Sequence, residues 1–342
     1  MAKSAFLFPG QGAQYVGMGR DVHDALSAAR VIFDRAEEVS QLPIKRLCFE
    51  GPDEELSRTD HAQPCIFTVS AALLGCMGTL LPPEKCAALR PDYMAGLSLG
   101  EYTALFAAGM LNFDDALKLV VRRGAAMQAA AQARPSGMVA IMGLDEDAAE
   151  KLCAASREGQ ILTPANFNCP GQIVLSGENE ACQRAAEKAA EFGARGATVL
   201  NVAGAFHSEI MAPAAEKLGE ALNDVAFRAP QAPNLADDPS RLAEPADAQV
   251  FAGKGVKIVS NVDARPTADP QVARSNLLAQ LTDAVRWQQS MELLLAEGVT
   301  EFYEIGPGKV LTGLMKRIDR KTKVTLVNSR ETLEALADTA GE

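Results

Sequence analysis

The sequence has 342 residues, enough for one large domain or two of ordinary size. Hydrophobic residues make up 48% of it and charged residues 23%, the balance typical of globular proteins. The net charge of −11 argues against a nucleic acid or an anionic membrane as partner, because both attract basic surfaces.

Seven cysteines are present, an odd number, and none of them forms a C-x-x-C pair. Neither a disulfide framework nor a metal site is therefore expected, and the cysteines are interpreted as small buried residues of a cytoplasmic protein. The first apolar run, residues 5–8, ends at Pro9 and is too short for a signal peptide. No run approaches the ~20 apolar residues that a membrane span needs.

The first third of the chain alternates short apolar runs with longer stretches of helical periodicity. Strands are predicted over residues 5–8 and 93–95, where apolar residues are consecutive and a turn signal follows. Apolar residues recur at helical spacing in four stretches, which predicts helices over 21–39, 64–81, 99–108 and 113–131.

The pattern changes after Pro135. Strand, helix, strand, helix and strand are predicted within about 70 residues, over 138–142, 145–156, 172–175, 178–192 and 197–202. This succession is typical of a small α+β subdomain. We therefore predict that residues 135–203 are inserted into a larger α/β body formed by residues 1–134 and 204–330.

The rest of the chain returns to the pattern of the body. Residues 228–255 are rich in Pro, Ala and Asp without a clear period, which predicts an exposed loop. Strands are predicted over 256–262, 302–305 and 323–327, helices over 271–281, 288–297 and 310–318, and a C-terminal tail over 331–342.

Ser98 alone among the serines of the sequence has glycine at both −2 and +2. A predicted strand precedes it and a predicted helix follows, which is the setting of a nucleophile elbow. The helix start would place backbone N–H groups where a negative oxygen forms. The alternative is a glycine-rich turn with a bystander serine.

A serine nucleophile needs a base, and the sequence has three histidines. His207 alone follows Ser98 in the chain, the order found in α/β-hydrolase triads, and it comes just after a predicted strand. His23 is interpreted as a solvated residue on the polar side of a helix, and His61 as a structural residue. His207 is thus the candidate base, although a lone histidine is more often structural.

Eight segments resemble, in family order, the malonyl-CoA:acyl-carrier-protein transacylases and the related acyltransferase domains of polyketide synthases. They cover nearly the whole chain: residues 8–14 (FPGQGAQ), 96–102 (GLSLGEY), 123–128 (RGAAMQ), 166–172 (NFNCPGQ), 204–208 (GAFHS), 260–264 (SNVDA), 280–287 (QLTDAVRW) and 304–311 (EIGPGKVL). The resemblance implies an α/β-hydrolase-like body with a parallel sheet, an inserted ferredoxin-like subdomain, and an active site in the cleft between them.

The resemblance also implies a ping-pong mechanism without a cofactor. Ser98 would attack malonyl-CoA with His207 as its base, and the resulting malonyl ester would pass to the pantetheine thiol of acyl carrier protein. The backbone N–H groups of Gln11 and Leu99 would form the oxyanion hole. The backbone carbonyl of Gln280, rather than a carboxylate, would orient the histidine.

Three further residues are candidates for binding and selecting the acyl group. The resemblance implies that Arg123 pairs with the free carboxylate of malonyl. The adjacent Arg122 is interpreted as a solvated residue. Phe206 matches the malonyl-selective form of the motif, and Asn166, like Gln63, is a candidate for lining the cleft or for a structural role. The family commonly has histidine before the nucleophile, and this sequence has Leu97, which affects substrate affinity more than chemistry.

Three other functions would draw on some of the same residues. A serine hydrolase or thioesterase would use the same nucleophile and base, but a cation in the acyl pocket is costly for a plain fatty chain. A polyketide-type acyltransferase would differ in extender unit or carrier. An inactive carrier-binding module has no need of an intact Ser98, His207 and Arg123. We expect a monomer. Despite the negative total charge, we also expect a local basic patch for the acidic carrier. Lys309, Lys316 and Arg317 are candidates, although a lysine or arginine at such a position is more often part of a solvated helix face.

Overall fold

The larger of two β-sheets forms the centre of the body. We describe residues 2–231, 250–253 and 255–339 of a computed structural model. Six strands form this sheet in the order β10-β9-β1-β2-β7-β8: β1 (Lys3–Phe8), β2 (Tyr93–Gly96), β7 (Lys257–Val259), β8 (Pro266–Thr267), β9 (Val299–Ile305) and β10 (Val324–Val327). All neighbours are parallel except β7 and β8. Residues 5–8 of β1 are fully buried because helices cover both faces.

Helices surround this sheet and supply most of the core. In the N-terminal half they are α1 (Arg20–Ala25), α2 (Ser27–Ser40), α3 (Ile44–Phe49), α4 (Asp53–Leu56), α5 (Thr59–Leu80), α6 (Pro83–Ala88), α7 (Gly100–Ala107) and α8 (Phe113–Ala133). In the C-terminal half they are α11 (Ala212–Asn223), α12 (Pro270–Ala279), α13 (Trp287–Ala296), α14 (Val310–Ile318) and α15 (Arg330–Thr339). A short 3₁₀ turn, Glu209–Met211, precedes α11.

The smaller sheet lies within the segment predicted as an insertion. Its elements are β3 (Ser136–Met142), α9 (Glu146–Arg157), β4 (Leu162–Cys169), β5 (Gln172–Glu178), α10 (Asn179–Lys188), a 3₁₀ turn (Ala189–Phe192) and β6 (Gly196–Val199). The strands are antiparallel in the order β4-β5-β3-β6. This βαββαβ succession is the ferredoxin-like arrangement. The predicted fold class is confirmed, and the boundaries at 135 and 203 stay a prediction.

Main-chain hydrogen bonds join the two units beside β4. The Val285 N–H donates to the Ala165 carbonyl at 2.8 Å, and the Phe167 N–H donates to the Val285 carbonyl at 2.9 Å. The small sheet is therefore docked on the body where the chain approaches α13.

Several elements differ from the sequence prediction. The helix predicted over 21–39 is two helices, because Leu26 takes an extended conformation between them. Strand β4 was missed because its proline, Pro164, and its two asparagines obscure the alternating pattern of a strand. The strand depends on pairing with β5, which is interrupted by two irregularities in register. Helix α11 was also missed.

The described parts of the predicted loop over 228–255 and of the C-terminal tail pack against the core. Within 228–255, residues 232–249 and residue 254 of the predicted loop lie outside the described residues. The prediction of an exposed loop is wrong for Phe251 and Ala252, which are fully buried, with the Phe251 ring 5.3 Å from that of Phe6. Most of the C-terminal tail is helix α15, which buries Leu333 against α5 and β10.

Helix α5 corrects the expectation about apolar runs. It is 22 residues long, and by length and composition it could cross a membrane. It lies instead inside the protein, with 83% of its most apolar stretch buried against neighbouring helices, including α2 and α8. A buried core helix passes the same compositional test as a membrane span.

Candidate active site

Ser98 lies in a sharp turn between β2 and α7. Its φ is 52°, in the left-handed region. A Cβ on Gly96 would lie 1.9 Å from the Gly100 carbonyl carbon, and a Cβ on Gly100 would lie 2.1 Å from the Phe8 carbonyl oxygen. Only glycine fits at either position, so the two flanking glycines permit the backbone approach that presents Ser98 at the end of the strand.

The carboxyl ends of β1, β2 and β7 bring the other site residues to the same edge of the sheet. These strands are adjacent and parallel, so the segments that follow them meet. Gln11 follows β1, Ser98 follows β2 and Asn261 follows β7. The topology thus explains why residues far apart in sequence surround one serine.

His207 is hydrogen-bonded to Ser98. Its Nε2 lies 2.9 Å from Ser98 Oγ, and its Nδ1 lies 2.7 Å from the Gln280 main-chain oxygen. A carbonyl can only accept, so Nδ1 carries the proton and Nε2 is left to accept the serine proton. Gln280 is the residue at the C-terminus of α12, where helix carbonyls lack intrahelical partners.

The environment keeps His207 neutral. The side chain is 4% exposed, and burial, together with the positive charge of Arg123, lowers its pKa to about 4, against a smaller opposing effect of the Gln280 carbonyl. At neutral pH the imidazole is therefore in the form that can take a proton.

Arg123 of α8 lies beside the serine and is buried, with 1% exposure. Its Nη1 donates to Gln63 Oε1 at 2.6 Å, and its Nη2 donates to Ser98 Oγ at 2.9 Å and to Gln280 Oε1 at 3.0 Å. The guanidinium carbon lies 5.4 Å from the centre of the Tyr102 ring. Burial lowers the pKa of this guanidinium.

No carboxylate forms an ion pair with Arg123 in the part of the chain that the structure describes. Its Nε has no hydrogen-bond partner there either. The charge of the Glu101 carboxyl acts on Arg123 from the far side of the Gln280 amide, without direct contact. A buried guanidinium with no carboxylate in contact is costly, and a negatively charged ligand at the serine would offset that cost.

Two backbone N–H groups near Ser98 are not engaged elsewhere. The Ser98 N–H itself donates to Asn261 Oδ1 at 2.6 Å, and the Gly100 N–H donates to the Leu97 carbonyl. Among the described residues, the N–H groups of Gln11 and Leu99 donate to no other group. A Cβ on Gly10 would lie 2.2 Å from the Leu97 oxygen, so the segment of Gln11 lies directly against the elbow.

A cavity of about 710 Å³ opens onto the serine between the two units. The body contributes Gln11, Leu97 and Arg123, and the small sheet contributes Met138 and Asn166 among others. The predicted residues Ser98, His207, Phe206 and Gln63 also line this cavity. The structure thus brings the sequence-predicted site residues together, with Gln280 and Leu99 directly behind the nucleophile.

Neither of the other two histidines lines this cavity. His61 Nδ1 lies 2.9 Å from the Glu55 carbonyl, and His23 Nδ1 lies 3.1 Å from Asp24. Among the described residues, no group of three or more His, Cys, Asp or Glu side chains is arranged to bind a metal ion.

Sequence reasoning missed the role of three polar side chains. Asn261 and Glu101 stood in segments that carry the resemblance, but no role was assigned to either. The Gln280 side chain is a third: its Nε2 donates to the Ser98 carbonyl at 3.1 Å, whereas only its backbone was expected to act. These contacts join residues more than 150 positions apart, so local patterns hold no signal for them.

Residues 5–322 match the family model described as acyl transferase domain. A relative from Bacillus subtilis, malonyl CoA-acyl carrier protein transacylase, is 41% identical and aligns over 100% of this chain and 98% of its own. The acyl-carrier-protein S-malonyltransferase structure from Bartonella henselae has a TM-score of 0.86 at 38% identity, covering 99% of this chain and 100% of its own. A structure of a type II PKS acyl-carrier protein in complex with its malonyl-transacylase has a TM-score of 0.85 at 34% identity. The match covers 99% of this chain and 100% of the matched chain.

Proposed function

Because the chain belongs to the malonyl CoA-acyl carrier protein transacylase family, we propose that it transfers the malonyl group of malonyl-CoA to the thiol of acyl carrier protein. The similar proteins carry this activity in their names, and the match extends over both units of the chain. The observation that carries the proposal for this chain is Arg123, a buried cation with no carboxylate in contact among the described residues, whose Nη2 lies 2.9 Å from Ser98 Oγ. A carboxylated acyl group bound at the serine supplies the missing charge.

In the first half-reaction, Ser98 attacks the thioester carbonyl. Its proton passes to His207 Nε2 as the O–C bond forms, and the backbone N–H groups of Gln11 and Leu99 donate to the developing oxyanion. The C–S bond then breaks, and the proton on His207 goes to the departing coenzyme A thiolate. A malonyl-serine ester remains, with its free carboxylate on the Arg123 guanidinium.

The second half-reaction is the reverse with a different thiol. His207 takes the proton of the carrier's pantetheine thiol, the sulfur attacks the ester carbonyl, and the Ser98 oxygen leaves and is reprotonated. Gln280 orients His207 throughout by accepting from Nδ1. A neutral carbonyl stabilises the imidazolium less than a buried carboxylate does, although the helix end from which it comes adds a favourable dipole.

Three cavity residues shape the acyl pocket in this proposal. The Phe206 ring is 6% exposed at the cavity wall, and we assign it the exclusion of an α-methyl group. Asn166 lines the cavity from β4. Leu97, the residue before the nucleophile, presents an apolar side chain that lines the cavity and packs against the core beside β2.

The charged side chains around α14 are the proposed contact for the acidic carrier. Val310 and Leu314 of this helix line the cavity, and Lys309, Lys316 and Arg317 are exposed beside them. Arg317 donates to Gln172 at 3.1 Å and so lies near the cavity wall. The fatty-acid pathway, a cytoplasmic monomer, independence from cofactors, and the lack of contact with nucleic acid or membrane remain predictions; polyketide synthesis is the alternative pathway.

The direct test is a steady-state transfer assay with malonyl-CoA and holo acyl carrier protein. We expect the carrier to gain the mass of one malonyl group, with parallel double-reciprocal lines when both substrates are varied, because the two half-reactions share only the acyl-enzyme. Release of free malonate without gain of carrier mass would instead indicate a hydrolase.

The low pKa of His207 predicts the pH dependence of acylation. Since the base must be neutral, kcat/KM for malonyl-CoA should stay level from pH 8 to about pH 5 and fall below that as His207 is protonated. An ordinary histidine with a pKa near 6.5 would already have lost roughly three quarters of this rate at pH 6.

The measurement is the rate of malonyl-enzyme formation in single turnovers, with circular dichroism at each pH. The spectrum is needed because the unfolded chain takes up a proton on His207 below about pH 6.5 while the folded chain does so only near 4, so the contribution of His207 to stability is lost as the pH is lowered across this window. Glu101, whose pKa is raised to about 7 by burial, contributes with the opposite sign as the pH falls below 7. A midpoint near 6.5 in folded protein would contradict the assignment of His207 as a buried base.

A further inference from the structure

A buried carboxylate that the mechanism does not use lies behind the reacting pair. Glu101, in the first turn of α7, is 2% exposed. Its Oε2 accepts from Gln280 Nε2 at 2.7 Å and from the Asn261 N–H at 3.1 Å. Within the described residues no lysine, arginine or histidine forms an ion pair with it.

The first of these contacts leads to the base. Gln280 accepts from His207 Nδ1 with its main-chain oxygen, while its side-chain nitrogen donates to Glu101 Oε2 and to the Ser98 carbonyl. The same side chain's oxygen accepts from Arg123. Because Glu101 fixes which end of the Gln280 amide faces inward, it also fixes the oxygen toward Arg123.

The second contact leads to the nucleophile. Asn261 accepts from the Ser98 N–H at 2.6 Å and donates to the Gly96 carbonyl at 2.7 Å, so its side chain bridges both sides of the strained turn. The Asn261 N–H that donates to Glu101 fixes the backbone from which this bridge extends. One carboxylate oxygen is thereby shared by the residue that orients the base and the residue that braces the serine.

From this geometry we propose that Glu101 is a positioning residue of the transfer reaction. Its Oε2, through Gln280 and Asn261, holds the His207 ring, the Ser98 backbone and the Arg123 guanidinium in their mutual arrangement. This inference rests on the proposed malonyl transfer. It adds a carboxyl group to the serine and the histidine as a third member of the site, one that acts on them only through other residues. An acid that a triad would place directly on the histidine lies here one residue further away.

The position of Glu101 is costly for the fold, which is consistent with a functional role. Burial raises the pKa of its carboxyl to about 7, and the hydrogen bonds it accepts, among them those from Asn261 and Gln280, together with the positive charge of Arg123, only partly offset that. A buried carboxylate without an ion pair destabilises the folded state relative to an uncharged residue of the same shape. Glutamine would fill the same space and could still accept both hydrogen bonds on its oxygen.

The test compares Glu101→Ala, Glu101→Gln and the wild type in single-turnover acylation by malonyl-CoA, normalised to folded protein. We expect Glu101→Ala to lower the maximal acylation rate about 100-fold, since the Ser98–His207 pair loses its alignment. The malonyl-CoA concentration at half-maximum should change much less, since Arg123 keeps its hydrogen bonds to Gln63 and Ser98. Glu101→Gln should recover most of that loss because the hydrogen bonds, not the charge, position the pair.

The matched control is Glu304→Ala. Glu304 is also fully buried and accepts from the N–H groups of Leu311 and Thr312. It lies outside the hydrogen-bond network of Ser98 and His207. The Glu304→Ala variant should be less stable than the wild type, while its acylation rate per folded molecule stays within threefold of the wild-type rate. If Glu101→Ala also stays within threefold, or if Glu101→Gln is as slow as Glu101→Ala, the proposal is overturned.

The experiment also distinguishes a Glu101→Ala variant that does not fold from a wild type that forms no malonyl-enzyme. If Glu101→Ala does not fold, Glu101→Asp replaces it: the carboxylate then falls one methylene short of its two donors, and a rate loss above threefold supports positioning whereas a smaller one overturns it. If the wild type itself forms no malonyl-enzyme, the proposed function fails independently of Glu101.

Discussion

Replacing Ser98 with alanine should abolish malonyl transfer, with a loss of about 10⁴-fold or more in kcat. The serine oxygen is the atom that carries the acyl group between the two thiols, so no other group on the described cavity wall at this distance from His207 can substitute for it. The variant should keep its fold, because only one oxygen is removed from a partly exposed side chain. Binding of malonyl-CoA should persist, since Arg123 and the cavity remain.

Ser70→Ala is the matched control for this result. Ser70 is another buried serine, on α5, whose hydroxyl has no hydrogen-bond partner among the described residues. Transfer by this variant should equal that of the wild type in the same carrier-mass assay. Substantial transfer by Ser98→Ala would assign the acyl group to another residue or to direct attack by the carrier thiol.

Arg123→Ala should reverse the preference for a carboxylated acyl group. Loss of a bidentate charge-assisted contact in a buried site is expected to lower kcat/KM for malonyl-CoA about 10²- to 10³-fold relative to acetyl-CoA. The ratio is the informative quantity, because Arg123 also donates to Ser98 Oγ and Gln280, and its removal therefore slows both substrates. Loss of its charge should also raise the pKa of His207.

Arg122→Ala provides the control on the adjacent position. Arg122 points to solvent, its side chain 58% exposed, and pairs only weakly with Asp224 at 3.4 Å. Both substrates should be handled as in the wild type. If Arg123→Ala leaves the malonyl-to-acetyl ratio unchanged, the carboxylate is bound elsewhere and the assignment of Arg123 is wrong.

The architecture was largely predictable because each unit has a strong local signal. The buried strands around residues 5–8 and 93–95 and the change of pattern after Pro135 predicted an α/β body with an α+β insertion, and the resemblance implied a parallel sheet in the body. The two sheets have that arrangement. The failures have physical causes. Strand β4 contains Pro164 and depends on pairing with β5, and Leu26 interrupts a helix at a position where the amphipathic pattern continues.

The site was predictable where a residue type has a rare chemical context. Ser98 is flanked by glycines that the backbone requires, and His207 is the one histidine downstream of it. Arg123 was distinguishable from Arg122 only through the resemblance, because periodicity treats two adjacent arginines alike. The bridge made by Asn261 and the buried carboxylate of Glu101 depend on contacts between strand ends, which appear only once the sheet order is known.

The geometry also weighs against a plain esterase or thioesterase. Such an enzyme would place the Arg123 guanidinium, 1% exposed and in contact with no carboxylate, against an uncharged acyl chain. In a malonyl transferase the same charge is neutralised in the acyl-enzyme, which favours accumulation of the ester.

The most direct test of the malonyl-serine mechanism is the intact mass of the protein after brief mixing with malonyl-CoA, followed by addition of holo acyl carrier protein. We expect one malonyl group on the wild type, located on Ser98 by peptide mapping, absent from Ser98→Ala and lost to the carrier when the carrier is added. No adduct, an adduct on another residue, or an adduct that reaches only water would contradict this mechanism.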